Sequence, residues 1–311
     1  MTQLARQLTA AALMLTLPAM AHAQIDVNTN NQAFELRGPI DPAIDPRKAL
    51  EERFLTGDGD LLLLKERDLF EVRSVTDLVF TNNARLTNTD RVDDVYVREE
   101  VALRVNTQID RTWDVYAESG LIFTRFFDET DLNTNVPFVR IGASTPLDEG
   151  PLAGGVLGGS LTGNFIFDDE FEDRLINQFV VTGFYIKPYQ LEDNWTLVPR
   201  FVWSYTLADP DDFSNFTLTG GADLIKPLRD DLAWVSGVDI YGSWYEDYFQ
   251  DVFTEDRRDF GVRSRTELRW TINEHAVLRG IVAYNTQNST IDFLDFDEFS
   301  VALSLRLTAE F

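Results

Sequence analysis

The side chains of this sequence that are best placed for chemistry are arginines and glutamates at alternating positions. In "RSRTELRW", Arg263, Arg265 and Arg269 alternate in this way with Glu267. Alternate residues of a β-strand point to the same face, so these side chains would line one surface of an extended segment. Guanidinium groups bind carboxylates and phosphates, often through paired hydrogen bonds. The pattern therefore indicates recognition of charge, either on a ligand or on the protein's own carboxylates.

Residue types for covalent or acid–base catalysis are scarce. The sequence has no cysteine and 2 histidines. His22 falls in a predicted signal peptide, and His275 falls in the predicted turn "NEHA" without a serine nucleophile nearby. Paired carboxylates can hydrolyse glycosides, but among 52 acidic residues a pair is not informative. "DGD" at 58–60 matches only part of a calcium loop. We therefore predict no catalytic residues, no metal site and no cofactor.

Strands are predicted to position these side chains, because hydrophobicity alternates with a period of two from residue 76 onward. In "WTLVPRFVWSYTL", aromatic and aliphatic residues occupy one face, and Arg200 lies on the other. Several segments exceed the roughly 5–6 residues usual for a soluble strand and suit the roughly 9–11 residues of a strand that crosses a bilayer. The alternation predicts about twelve strands, at 76–87, 94–109, 112–126, 136–145, 153–167, 177–190, 195–208, 213–226, 232–245, 258–272, 276–288 and 298–311.

The first residues predict export from the cytoplasm. Arg6 precedes an apolar run that ends at "MAHA", and these features indicate a cleaved signal peptide at 1–23. The run is shorter than the roughly 20 residues of a membrane-spanning helix. Residues 24–67 lack the strand alternation and are predicted to form a periplasmic leader, with a plug or a docking segment as the alternative. The formal net charge of −25 argues against a nucleic-acid partner.

The predicted connections alternate between short turns and longer acidic loops, as in strands threaded through a bilayer from one side. An even number of strands would place both ends of the strand region at the short-turn rim. Indole rings prefer the membrane–water interface, so tryptophans near strand ends predict aromatic girdles. The predicted short-turn girdle contains Trp113, Trp195, Trp234, Trp270 and Phe311, and the predicted opposite girdle contains Trp203 and Trp244.

The sequence ends on "SVALSLRLTAEF", in which polar and apolar residues alternate up to Phe311. With the signal peptide and the rhythm of strands and turns, this end resembles the C-terminal signal of bacterial outer-membrane β-barrel proteins of the porin-like class. The resemblance implies an all-β, transmembrane, antiparallel up-and-down barrel of about 12 strands at 68–311, located in the outer membrane. It implies outer-membrane lipid, lipopolysaccharide, small solutes and the barrel-insertion machinery as partners, and it is compatible with a homo-oligomer.

The faces opposite the apolar ones would line the lumen of such a barrel. The predicted lumen set consists of Arg98, Arg104, Arg200, Arg263, Arg265, Arg269, Arg279, Arg306, Glu118, Asp239 and Glu267. Two interpretations of this set are open. The charges can form salt-bridge networks that fill a closed interior, or they can line a water-filled pore and select solutes. Barrel width does not decide between these two interpretations. A barrel of about 12 strands is intermediate between narrow barrels that side chains fill and wide barrels that contain a channel.

The leading functional prediction is a narrow porin-like channel for passive diffusion of small hydrophilic solutes. Arginines concentrate on the last three predicted strands, so these solutes are predicted to include anions. The alternative is a non-transporting barrel with a structural, surface-interaction or export-accessory role. Hydrolytic barrels of this class rely on a histidine near the outer rim, whereas His275 is predicted at the short-turn rim, so an enzyme is not the prediction.

Overall fold

The computed structural model describes residues 70–88, 91–109, 112–147, 149–246 and 256–311. The predicted signal peptide (1–23) and leader (24–67) lie outside these residues. No helix in the described ranges is long and apolar enough to cross a bilayer. The strands are Phe70–Thr81 (β1), Asp94–Ile109 (β2), Trp113–Phe126 (β3), Thr134–Leu147 (β4), Gly155–Phe167 (β5), Arg174–Ile186 (β6), Tyr189–Gln190 (β7), Thr196–Asp209 (β8), Asn215–Arg229 (β9), Leu232–Tyr245 (β10), Arg258–Asn273 (β11), Ala276–Ser289 (β12) and Phe296–Glu310 (β13).

Twelve of these strands form one closed antiparallel barrel. Each long strand pairs with the next along the chain, β6 pairs with β8, and β1 pairs with β13 to complete the circle. The short β7 pairs only with the start of β8. At the β1–β13 seam, Phe70 and Phe311 exchange backbone hydrogen bonds of 3.2 and 2.9 Å. A closed sheet leaves no unpaired edge in lipid, and the predicted fold class is confirmed.

The alternation along each strand separates an apolar outer face from a polar inner face. In β1, Phe70, Val72 and Leu78 are exposed on the outside, whereas Arg73 and Val75 are buried on the inside. Large apolar side chains are exposed in the same way on the other long strands of the barrel. In water such a surface would be unfavourable, but in a bilayer it contacts hydrocarbon. The outer face therefore forms the membrane-contacting belt.

The first strand lies earlier in the chain than the sequence pattern predicted, at Phe70–Thr81 rather than 76–87. Pairing with β13 from Glu71–Glu310 to Thr81–Ser300 extends the strand backwards. At its other end, Asn83 Nδ2 donates to Thr87 O at 2.8 Å and to Asp297 O at 2.9 Å. A side chain that binds the backbone in this way competes with the strand ladder. The segment that follows Thr81 is therefore a loop, although the sequence pattern predicted strand as far as residue 87.

The two rims differ less in connection length than predicted. The short-turn rim has connections at 110–112, 148–154, 187–195, 230–231 and 274–275, and the long-loop rim has connections at 82–93, 127–133, 168–173, 210–214, 246–257 and 290–295. Two connections of the short-turn rim, 148–154 and 187–195, are as long as several on the opposite side. The long-loop rim is distinguished instead by 3₁₀ turns that bury an apolar side chain each: Leu132, Phe213 and Leu294.

Thiol labelling should establish which rim faces the cell exterior. The sequence contains no cysteine, so single-cysteine variants have no background. Asp211 and Asp230 are matched positions, since both are exposed acidic residues at opposite rims. We expect a membrane-impermeant maleimide to label Asp211→Cys on intact cells and to label Asp230→Cys only after lysis. Labelling of Asp230→Cys alone on intact cells would reverse the orientation.

Candidate functional site

Every residue of the predicted lumen set lies on the inner face of its strand. Buried members include Arg98, Glu118, Asp239 and Glu267. The others follow the same alternation on their strands: Arg104, Arg200, Arg263, Arg265, Arg269, Arg279 and Arg306. The alternation of side chains along the strands therefore places these charged residues inside the barrel. Which of them are paired with each other determines what the lumen can bind.

One buried network joins β1, β2 and β3 around Arg73. Arg73 Nη2 donates to Glu100 Oε1 at 2.7 Å and to Glu118 Oε1 at 2.9 Å. Arg98 pairs with Glu100 at 3.2 Å and with Asp77 at 3.4 Å. The Arg73 side chain is 3% exposed, so water screens these interactions poorly. This part of the lumen fits the interpretation of a salt-bridged interior.

A second network runs across β8 to β11. Arg200 pairs with Asp239 at 2.6 Å and with Asp223, and Arg265 pairs with Asp223 at 3.0 Å. Arg200 and Asp223 lie on the adjacent strands β8 and β9, whereas the Arg200–Asp239 and Arg265–Asp223 pairs each span an intervening strand. The residue in between is Gly221 for the Arg200–Asp239 pair and Gly237 for the Asp223–Arg265 pair. The missing side chains leave the space in which the ion pairs form.

Four lumen arginines differ from these, because no carboxylate oxygen of the described residues lies within 4.0 Å of their guanidinium groups. They are Arg104, Arg140, Arg263 and Arg279. Arg104 lies over the Tyr116 ring at 3.9 Å, and Arg263 lies over the Tyr241 ring at 4.2 Å. Arg140 donates to Thr162 Oγ1 at 2.9 Å, and Arg279 donates to Ser304 Oγ at 2.6 Å. Aromatic rings and hydroxyl groups, rather than carboxylates, are therefore the partners of these four cations among the described residues.

Sequence reasoning missed several charged residues of the lumen. Arg73 was outside the predicted first strand, and Asp77 and Asp223 were not singled out among the abundant acids. Arg140 was hidden because Phe138 and Val139 make both faces of β4 apolar, so the segment shows little alternation. Arg140 could have been found in the sequence from its spacing to Val136 and Phe138, which share its buried face. The charge pattern was thus underestimated on β1, β4 and β9.

The long-loop end of the lumen contains an apolar cluster. Phe213, Ile291 and Leu294 from two connections pack against Phe138 and other inward-facing side chains. The cluster also includes Ala102, Ile122, Val136, Ile166, Ile176 and Tyr245. Burial of these side chains holds the connections inside the barrel mouth. The loops were predicted from their acidic composition alone, and their apolar contribution to the lumen is a finding of the structure.

A cavity of about 190 Å³ lies in the lumen between β1–β3 and β10–β13. Its wall includes Arg263, Arg279 and Glu298 together with Val79 and Phe126. A second apolar cluster, formed by Ala84, Phe126 and Leu132 with Tyr96 packed against it, borders the cavity at the long-loop side. The cavity therefore has both charged and apolar surfaces, and a ligand that filled it would contact both.

Aromatic side chains lie at the short-turn rim, where the sequence predicted a girdle. One of the two tryptophans that were predicted for the other rim lies elsewhere. Trp195 and Trp234 contact edge to face at 5.4 Å, and Trp270 Nε1 donates to Asp231 Oδ2 at 3.0 Å. Trp113 and Phe311 are exposed at the same rim. At the other rim, Trp244 is the penultimate residue of β10. Trp203 instead lies midway along β8, with its ring over Gly183.

His275 lies exposed in the turn between β11 and β12. Its Nε2 is 3.4 Å from Glu274 Oε1 in the same turn. The long-loop connections are at the opposite end of these strands. The side chain is therefore a solvent-exposed rim group at the position that the sequence predicted.

A closed 12-strand antiparallel barrel with an apolar outer belt and a charged lumen defines an outer-membrane β-barrel protein. The predicted class and the predicted location in the outer membrane are confirmed. No protein-family model matches the sequence, and no curated protein matches it. The fold is the basis of the assignment.

Solved structures share this fold at low sequence identity. An outer membrane channel from Pseudomonas putida F1 has a TM-score of 0.54 and 11% identity, covering 81% of this chain and 98% of that one. The translocator domain of the autotransporter NalP from Neisseria meningitidis has a TM-score of 0.43 and 10% identity, with 92% and 96% covered. The KdgM porin in complex with disordered oligogalacturonate has a TM-score of 0.38 and 7% identity, with 76% and 98% covered. At these identities the likeness is one of fold.

Proposed function

We propose that the protein is a narrow porin-like channel for passive diffusion of small hydrophilic solutes, with a preference for anions. The observation that carries the proposal is the group of four lumen arginines without a carboxylate partner in the described chain: Arg104, Arg140, Arg263 and Arg279. A lumen that only needed to be filled would pair its buried cations, because an unpaired buried charge is costly. Guanidinium groups that have no carboxylate partner can bind an anion that sheds part of its water.

The lumen supports a selective channel rather than a wide one. Ion pairs hold many of the inward side chains against the wall, and the apolar cluster around Phe213, Ile291 and Leu294 occupies the long-loop end. The protein from Pseudomonas putida F1 with a similar fold is described as an outer membrane channel, which agrees with the proposal. A non-transporting barrel is the second candidate, and the same apolar cluster is the observation that favours it.

The partners follow from the same proposal. The apolar belt contacts outer-membrane lipid, and small solutes enter the lumen. We further propose that the barrel-insertion machinery recognises the last strand, which ends at Phe311, and that acidic groups of the long-loop rim bind lipopolysaccharide through divalent cations. A homo-oligomer is compatible with the lipid-facing surface. None of these partners requires catalysis, so the proposed activity is transport without an enzymatic step.

Single-channel recording in a planar bilayer tests the proposed function. We expect the refolded mature protein to give discrete conductance steps with a reversal potential that indicates anion preference. Replacing the two cavity arginines in Arg263→Glu/Arg279→Glu should shift the reversal potential toward cations, because the local charge changes sign. The matched control is Arg229→Glu, which changes an exposed arginine of the short-turn rim and should shift the reversal potential much less.

Protein that is folded but electrically silent would contradict the channel and favour the non-transporting barrel. Folding is checked independently by the heat-dependent gel mobility that closed barrels show. A reversal potential that is equal for the double variant and the wild type would contradict a role of these arginines in selectivity.

A further inference from the structure

The cavity has two polar rows on β11 to β13; between them β11 contributes Arg265 and Glu267, whereas β12 and β13 contribute small or apolar side chains. On β11 to β13, Arg263, Asn285 and Glu298 are direct cross-strand neighbours and form the first row. The second row, six residues further along each strand, consists of Arg269, Arg279 and Ser304. At about 3.3 Å per residue the rows are on the order of 20 Å apart. The inward residues between them include Ala283, Ala302 and Ile281, whose small or apolar side chains leave the space open.

Polar atoms that face this cavity are buried without a hydrogen-bond partner. Asn285 is 7% exposed, and its Oδ1 has no partner in the described chain. Nε of Arg263 and Nε of Arg279 also lack a partner in the described chain, and Arg279 is 8% exposed. Buried polar groups are nearly always paired in proteins, so several orphans on one wall indicate a missing partner. A ligand with acceptor oxygens would supply a partner for the Nε donors, whereas Asn285 can bind such a ligand only through its Nδ2 donors.

The charges of the cavity add up to one unpaired positive charge. Ion pairs neutralise most of the lining groups: Arg98 with Asp77, Arg269 with Glu267, Asp239 with Arg200, and Arg265 with Asp223. Among the described lining residues this leaves Arg263 and Arg279 against Glu298. Glu298 Oε1 accepts a hydrogen bond from Thr81 Oγ1 at 2.8 Å. The net charge is spread over the cavity, because Arg279 lies in the other row, but no carboxylate oxygen of the described residues lies within 4.0 Å of the Arg263 guanidinium, so an anionic group can pair with it.

The middle of the cavity suits a compact apolar group. Ala302 on β13 and Val79 on β1 are cross-strand neighbours, and Ala283 of β12, Leu86 and Phe126 also line the cavity. An apolar cavity of about 150 Å³ holds benzene, so about 190 Å³ has room for a ring and one small polar group. Packing of Phe126 against Ala84 and Leu132 keeps this part of the wall in place.

We propose that this cavity is a binding site for a small carboxylic acid in its anionic form. The carboxylate lies against Arg263 and Asn285, and an apolar body of about the size of benzene lies between Ala283 and Phe126. The site deepens the proposed function, on which it rests, because solutes must reach the lumen. It restricts the anions that the channel prefers to those with an apolar body.

Isothermal titration calorimetry with the refolded mature protein in detergent tests the site, with benzoate as the probe. Benzamide has the same body without the charge, and acetate has the charge without the body. We expect each of these to bind at least tenfold more weakly than benzoate, since binding uses both parts of the cavity. Glu298→Gln should tighten benzoate binding severalfold, because it removes the opposing negative charge.

Two matched pairs of variants locate the site. Arg263→Met should weaken benzoate binding at least tenfold, whereas Arg229→Met, which changes an exposed arginine of the short-turn rim outside the cavity, should leave it unchanged. Ala283→Leu should abolish binding by filling the cavity, whereas Ala117→Leu adds the same volume on the lipid-facing side and should not. Ala302→Leu replaces Ala283→Leu if that variant does not fold.

Equal binding of benzoate and benzamide, or equal effects of Arg263→Met and Arg229→Met, would overturn the site. So would the absence of any benzoate binding to folded protein. These outcomes are separable from the fate of the channel. Benzoate binding with silent bilayers would keep the site and contradict transport, whereas conductance without benzoate binding would keep transport and overturn the site.

Discussion

Replacing Arg73 with methionine should lower the free energy of unfolding by about 3–5 kcal/mol. The guanidinium group lies between Glu100 Oε1 at 2.7 Å and Glu118 Oε1 at 2.9 Å, and all three side chains are almost completely buried. Methionine fills a similar volume but leaves two buried carboxylates without this cation. Chemical unfolding of the barrel in lipid vesicles, followed by tryptophan fluorescence, measures the loss.

Arg229→Met is the control for this prediction. Arg229 also pairs with a carboxylate, Asp231 at 3.1 Å, but its side chain is 63% exposed. Exposed ion pairs contribute about 0–1 kcal/mol, so this variant should unfold almost like the wild type. Adding Glu118→Gln to Arg73→Met should recover part of the loss by removing one uncompensated charge. If Arg73→Met lowered the free energy of unfolding no more than Arg229→Met does, water would have to reach the network. The interpretation of this network as buried would then be wrong.

Replacing Gly221 with alanine should destabilise the barrel by about 1–3 kcal/mol through overpacking, and by more if the ion pair separates. Gly221 lies between Arg200 and Asp239 on the adjacent strands, and their side chains meet over it. A methyl group there would overlap Asp239 Oδ1 and lie 2.6 Å from Val238 O. The Asp239 carboxylate would have to move away from Arg200. The same unfolding measurement in vesicles reports the cost.

The neighbouring residue, Gly220, provides a control on the same strand. It faces outward, and a methyl group on it would contact nothing within 4 Å. Alanine restricts the unfolded chain more than glycine does, so Gly220→Ala should be neutral or stabilising by roughly 0.4–1 kcal/mol. Destabilisation of both variants to the same extent would mean that a general strand property, rather than the ion pair over Gly221, determines the effect.

The barrel was predictable because its main determinant is local. The alternation of "FSVALSLRLTAEF" is present in any extended chain, and β13 shows the corresponding exposure pattern in the structure. The same reasoning placed Arg263, Arg265 and Arg269 on the inner face of β11. The start of β1 at Phe70 was missed, although Phe70, Val72 and Leu78 share the outer face of the strand; pairing with β13 shows that the strand begins there.

The candidate site was predictable only in its composition. The sequence indicated a basic wall, but it did not indicate that Arg265 pairs with Asp223 while Arg263 has no carboxylate of the described chain within 4.0 Å. The two arginines are alternate residues on one strand and have the same local pattern. Their difference arises from the neighbours across β10, where Gly237 opens the path from Arg265 to Asp223. Pairing of this kind depends on register, which no local pattern specifies.

By itself the sequence determined which side chains face lipid and which face the lumen, because successive side chains of a strand point to opposite faces. It also determined the location, through an apolar outer face that only a bilayer accommodates. The tertiary structure alone decided which charges are paired, as for Arg73 and Glu118 on β1 and β3. It also decided that Phe126 and Ala283 line the same cavity. These contacts join residues far apart in the chain, and closure of the sheet with its particular register brings them together.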